Sequence, residues 1–166
     1  TIDPLLVNLF VIEEPESHMH PQMQYVFSQY LLTYFDSRPK LQGFITTHSH
    51  EVVRGAKLSQ LRVLRKVDSF KCTLYDLRSF HNNLEGAPEL LDFYNYFYAI
   101  SFPDIIFADK VILYEGDTER MLINSLLKLG KTPFPNLKSQ YLSFVQVGGA
   151  YAVSYEPILK YLDIKS

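Results

Sequence analysis

Adjacent acids close the apolar segment Leu9-Phe10-Val11-Ile12-Glu13-Glu14, and a proline follows at Pro15. An apolar run that stops abruptly at charge reads as a buried strand carrying carboxylates at its C-terminal tip. Ligands of open α/β sheets bind at such tips. Hydrolysis of a nucleotide needs one carboxylate to organise the Mg²⁺ shell and a neighbour to position the attacking water, so Glu13 and Glu14 suit that chemistry. Taken alone, the pair reads first as two solvated acids at an ordinary strand end.

A second strand tip lies one helix later, at Ile45-Thr46-Thr47-His48-Ser49. A histidine at a strand end beside a phosphate can donate a hydrogen bond to charge developing in the transition state. Out of context, His48 reads first as a satisfied, partly buried histidine; its spacing one helix after the acidic tip favours the functional reading. The third tip is Val111-Ile112-Leu113-Tyr114-Glu115-Gly116-Asp117-Thr118-Glu119. Gly116 permits a tight turn that exposes the Glu115 carboxylate to a divalent ion, and metal-dependent nucleases use such acids. Glu119 follows one helical turn later as a second acid. Acids here also complement a helix N-terminus, which accounts for Asp117 and Glu119 more easily than for Glu115.

Two His-x-His pairs, His18/His20 and His48/His50, suggest a different chemistry, because neutral imidazoles are common zinc ligands. A zinc-dependent hydrolase built on them is the weaker reading. The first pair is not on a strand, where positions two apart share a face, and the Glu-Glu-Pro-Glu run would be left without a role.

The elements that must position these residues follow from periodicity. Residues 5–12 read as a buried strand. Pro21 fits the first turn of a helix running to about Phe35, with Met23, Val26, Phe27, Tyr30, Leu31 and Tyr34 as its apolar stripe. Residues 42–47 read as a second buried strand, and residues 61–64 and 70–77 as a pair joined by a polar turn at Asp68. The polar stretch 79–88 reads as a linker and 89–99 as an aromatic-rich helix, with a break at Pro103-Asp104. Residues 111–114 form a further strand, with Asp117 expected as N-cap of a helix that ends at Gly130. Residues 141–147 are another strand, Gly148-Gly149 a turn and 150–162 a helix. Strand–helix alternation makes the chain α/β.

The bulk composition agrees with a folded chain. Of 166 residues, 47% are hydrophobic and 20% charged, which is a globular balance. No apolar run approaches the roughly 20 residues that span a bilayer, so no membrane association is expected. Cys72 is the sole cysteine, which leaves no internal disulfide and favours a reducing, cytoplasmic setting. The net charge of −2 lacks the overall basic footprint of a dedicated nucleic-acid binder. Arg54, Lys57, Arg62, Arg65, Lys66 and Lys71 do cluster in sequence, and read first as a solvated face.

The run Glu13-Glu14-Pro15-Glu16-Ser17-His18-Met19-His20-Pro21-Gln22 resembles the Walker B and D-loop segment of SMC-like ABC ATPases. Proteins of the OLD (overcoming lysogenization defect, Gabija-like) family share that segment. Residues 45–49 resemble the histidine switch of the same ATPases, and residues 109–119 resemble the opening motif of TOPRIM domains, with Val147-Gly148-Gly149 as a looser match. The resemblance implies Glu13 as the Mg²⁺-associated acid, although ABC transporters more commonly carry Asp there. It further implies Glu14 as the catalytic glutamate and His48 as the γ-phosphate contact. Glu115, with Glu119, would be a ligand of the nuclease metal.

On this resemblance the fold is a partial ABC-type ATPase sheet, from Walker B to the switch strand, followed by the N-terminal part of a TOPRIM domain. The expected division is 1–78 for the ATPase half, 79–107 for a partly helical linker and 108–166 for the TOPRIM part. The implied parent is an ATP-regulated DNA endonuclease using Mg²⁺ or Mn²⁺ in anti-phage defence. Its implied partners are DNA, further copies of itself through the ATPase domain, and a helicase. The chain has no G-x-x-x-x-G-K-[ST] loop, no Ser-Gly-Gly signature and no downstream Asp-x-Asp, so the isolated segment is expected to be inactive. An SMC-like DNA-binding switch with an inactive TOPRIM unit is the alternative.

Overall fold

The computed structural model describes residues 8–84, 86–129 and 134–165. Residues 5–7 of the first expected strand, and Gly130 at the expected helix end, lie outside them. The chain divides into two compact units, Thr1–Leu61 and Arg62–Ser166, with a mixed α/β content.

The first unit is a β–α–β arrangement closed by a short helix. Strand β1 (Asn8–Glu13) runs parallel to β2 (Leu41–Thr46), in a register that pairs Glu13 with Thr46. Helix α1 (Pro21–Asp36) makes the crossover. It begins with proline in its first turn, where the missing N–H is no loss, and His20 caps it. Helix α2 (His50–Gly55) starts at Ser49, whose hydroxyl accepts hydrogen bonds from the Glu51 and Val52 amides. Glycine is required twice in this packing. The Phe35 ring lies where a Cβ on Gly43 would be, and Ser28 and Gln29 lie where a Cβ on Gly55 would be.

Burial in this unit departs from the expected pattern. Leu9, Phe10 and Val11 on β1, and Phe44 on β2, are exposed, as are Met23, Val26 and Tyr30 of the expected apolar stripe. The residue of α1 that is buried is Ser28, because α1 packs through it against Gly55 of α2. Small residues make the close contact at that point of the interface.

The second unit opens with a hairpin of β3 (Arg62–Lys66) and β4 (Cys72–Asp76), antiparallel with Leu64 opposite Leu74. The stretch expected as a linker is helical through residue 83: α3 (Leu77–Asn83) is capped by Asp76, with Leu77, Phe80 and Leu84 buried at helical spacing. Helices α4 (Pro88–Ile100) and α5 (Phe102–Ile106) follow. Pro103 is therefore in the first turn of a helix and does not interrupt one. Strand β5 (Lys110–Tyr114), helix α6 (Asp117–Lys128) and strand β6 (Leu142–Gln146) form a second parallel β–α–β, pairing Tyr114 with Gln146. Gly116 is the N-cap of α6 and Asp117 its first residue. A 3₁₀ turn, Gly149–Tyr151, leads into α7 (Ala152–Tyr161).

Aromatic packing holds this unit together. Phe80, Tyr94, Phe97, Phe102 and Tyr155 are buried, and the Phe97 and Tyr155 rings meet edge-on at 4.5 Å. Pro157 removes one backbone donor inside α7. At the adjacent turn the Tyr94 hydroxyl donates to the Ser154 carbonyl at 2.7 Å and accepts from the Ile158 amide at 3.2 Å, bridging two groups that would otherwise pair directly. Burial pushes the phenol pKa values of Tyr94, Tyr98 and Tyr155 upward. Arg65 fastens the hairpin to the start of β5, its guanidinium donating to the carbonyls of Ile106 and Ala108.

Candidate functional site

The register of β1 and β2 brings two strand tips side by side. The amide of Glu14 donates to the Thr46 carbonyl at 2.9 Å, which extends the ladder one residue past Glu13. The backbone of Glu14 then turns left-handed, with φ of +41°. A non-glycine residue in that region is strained, and such strain collects at functional sites. The turn aims the Glu14 carboxylate at the neighbouring strand, where His48 Nε2 lies 3.3 Å from Glu14 Oε1. Both side chains are exposed. A carboxylate and an imidazole thus meet at one solvent-accessible point, and Glu13 is exposed immediately before them.

Beneath this pair lies a residue that the sequence motif contains but does not single out. Glu16 is only 7% exposed. Its Oε1 accepts a hydrogen bond from the Thr47 hydroxyl at 2.5 Å and another from the His48 amide at 3.1 Å. Its Oε2 is buried without a hydrogen-bond partner among the described residues. Burying a carboxylate is expensive unless it is held by donors, so Glu16 fixes the backbone that carries His48.

The links continue from there. The Thr47 hydroxyl accepts from the Ser49 amide at 2.9 Å, the Ser49 hydroxyl donates to Gln24 Oε1 at 2.6 Å, and Gln24 Nε2 donates to the Met19 carbonyl at 2.9 Å. The turn after β1, the start of α1 and the loop after β2 are therefore one polar network. Its sequence signal is faint: an acid three residues past one tip, and a threonine one residue past the other.

The third tip is built on the same β–α–β plan but with different contacts. Glu115 is exposed at the end of β5, and its carbonyl accepts from Gln146 Nε2 of the neighbouring tip at 3.2 Å. Glu119 turns back, its Oε2 accepting from the Gly116 amide at 3.1 Å. One oxygen of the expected second acid therefore serves as a helix cap. Among the described residues no three His, Cys, Asp or Glu side chains are grouped closely enough to hold a metal ion. His18 sits in a left-handed turn, with φ of +68°, while His20 Nδ1 caps α1.

Most of the basic cluster is engaged within its own unit. Arg54 pairs with Glu51 and Lys57 with Asp36 in the first unit. In the second, Arg62 pairs with Asp76 and Arg65 holds backbone carbonyls.

Comparisons with known proteins divide the chain in the same order as its two sites. Residues 6–53 match the AAA ATPase domain family, and residues 106–166 match the overcoming lysogenization defect protein-like TOPRIM domain family. Among curated proteins, Endonuclease GajA of Bacillus cereus strain HuB5-5 is 26% identical over 95% of this chain and 25% of its own length. Endonuclease GajA of strain VD045 is 25% identical over 94% of this chain and 25% of its own length. The chain therefore spans about a quarter of the length of the curated relatives it matches. Among the described residues no helix is long and apolar enough to cross a membrane.

Proposed function

We propose that this chain, which belongs to the OLD family of ATPase–TOPRIM proteins, joins a nucleotide-hydrolysing half-site to a DNA-cleaving half-site within a longer endonuclease. The 3.3 Å approach of His48 to Glu14 carries the reading. It sets a carboxylate able to orient water beside an imidazole able to donate to phosphate oxygen.

The donor set at the first tip fits a nucleotide-bound Mg²⁺: Glu13 and Thr46 offer hard oxygens. When bound, that ion neutralises charge on the phosphates. Glu13 would help hold it. Glu14 orients the attacking water and takes up its proton. His48 donates from Nε2 to the γ-phosphate as charge develops there. At the third tip, Glu115 fits as one carboxylate ligand of a Mg²⁺ or Mn²⁺ ion that activates the phosphodiester, and the free Oε1 of Glu119 is within the same turn. With fewer than three grouped donors among the described residues, this tip is a part of a site.

On this reading the first unit is part of an ABC-type ATPase sheet. The exposed apolar residues of β1 and α1 would pack against the rest of that domain. The exposed turn at residues 17–21 corresponds to the D-loop, so a second copy of the protein would meet it there. DNA is the substrate, the setting is cytoplasmic, and a helicase is a further partner by family resemblance. Anti-phage defence is the corresponding biological role.

The test is made in the full-length protein. Glu14→Gln keeps the side chain's size but removes the base, so ATP should bind and not turn over. His48→Ala should impair hydrolysis with a smaller effect on nucleotide affinity. Hydrolysis at the parent rate in both variants would refute the assignment of these two tips.

A further inference from the structure

We infer that Glu16 is a positioning residue for hydrolysis, acting through Thr47 and the His48 backbone to hold the imidazole where it meets Glu14. The inference rests on the proposed reading of Glu14 and His48 and assigns a residue that neither motif chemistry nor that reading uses.

Three observations carry it. Among the described residues Glu16 is the buried carboxylate of its unit, and its Oε1 takes two donors from the loop after β2, the Thr47 hydroxyl and the His48 amide. The same loop is gripped from its other side, since Thr47 Oγ1 accepts the Ser49 amide and Ser49 Oγ bonds Gln24 of α1. The His48 imidazole itself is exposed and touches Glu14 alone among these groups. Its backbone is therefore fixed while its side chain is free to follow the phosphate. The strained Glu14 and the buried Glu16 are separated only by Pro15, so one turn fixes both partners of the 3.3 Å pair.

A group that works by placing another leaves affinity alone and lowers turnover. In the full-length protein, Glu16→Ala should lower kcat for ATP hydrolysis roughly 10- to 100-fold, the scale expected when a reacting group is misplaced by about an ångström. Nucleotide Kd should change little. Glu16→Gln keeps an acceptor oxygen at the same place and should restore most of kcat. Thr47→Val removes one of the two donors to Glu16 while keeping the carboxylate itself, and should lower kcat in the same direction. It also serves if Glu16→Ala does not fold.

The decisive comparison is a double-mutant cycle. Once His48→Ala has removed the imidazole, adding Glu16→Ala or Thr47→Val should lower kcat no further. Undiminished multiplication of the two effects would overturn the inference. So would Glu16 and Thr47 variants that hydrolyse ATP at the parent rate while His48→Ala does not. If His48→Ala itself leaves kcat unchanged, the underlying reading of the tip fails first and takes the inference with it.

Discussion

The two β–α–β units place acids at equivalent tips yet hold them by opposite means. Around Glu14 the apolar packing is thin: among the described residues the buried hydrophobics of the first unit are Leu41, Val52, Val53 and Leu58. A chain of polar links from Glu16 to Gln24 does the positioning instead. Around Glu115 there is no such network among the described residues. The platform is a dense aromatic core, and the tip carries one exposed carboxylate with a backbone contact from Gln146. Hydrogen-bond networks have discrete alternative arrangements, which would suit the proposed role of this tip in distinguishing nucleotide states. A close-packed core deforms little, which suits a site that holds an ion in place.

The contrast can be broken at several points, in decreasing order of effect. Glu14→Gln in the full-length protein should reduce ATP turnover by roughly 10²- to 10⁴-fold, the range for a general base, with nucleotide binding intact by fluorescence titration. His48→Ala should cost roughly 10²- to 10³-fold, as for one transition-state donor, in a phosphate-release assay. If the histidine effect exceeds the glutamate effect, their roles are exchanged.

The core of the second unit is probed by Tyr94→Phe. It removes the hydroxyl that bridges the Ser154 carbonyl and the Ile158 amide, and should destabilise by about 0.5–1.5 kcal/mol in thermal or denaturant unfolding. The tip chemistry should be unaffected. Alkaline titration sharpens the same point. Because burial raises the Tyr94 and Tyr98 phenol pKa values above the ordinary 10.0, the unfolded chain loses those protons first. The stabilising contribution is complete below pH 10 and falls as pH rises beyond it. A melting temperature that holds constant well above pH 10 would contradict the sealed core. The smallest effect is expected at Glu119, whose carboxylate caps α6. Glu119→Ala should cost about 0.3–1 kcal/mol in stability with cleavage largely retained. Loss of cleavage would promote Glu119 from cap to metal ligand.

Much of this was legible in the residues. Strands end where apolar runs meet acids or Thr-Thr-His, so the tips at Glu13, Thr46 and Tyr114 lie within a residue or two of where periodicity puts them. Helix α3 was not, because its surface residues Arg78, Ser79, His81 and Asn82 read as turn. Only the buried spacing of Leu77, Phe80 and Leu84 marks the helix. The buried contact of α1 within this unit was not legible either: a helix contact made by Ser28 against Gly55 leaves no hydrophobic signature. Glu16 lies beyond any sequence-local rule, since its partners are 31 and 32 residues away and are delivered by strand register.

The central claim is that the two tips serve two separate chemistries, and Glu115→Ala in the full-length protein tests it most directly. The substitution removes one carboxylate from the proposed metal site and leaves the Glu14–His48 tip untouched. Plasmid nicking in Mg²⁺ or Mn²⁺, run beside phosphate release and a DNA-binding titration, reads all three functions on one preparation. The account predicts that nicking is lost while ATP hydrolysis and DNA binding persist. Unchanged nicking would remove Glu115 from the mechanism, and absence of nicking by the unmodified protein with either metal would favour a DNA-binding switch over a nuclease.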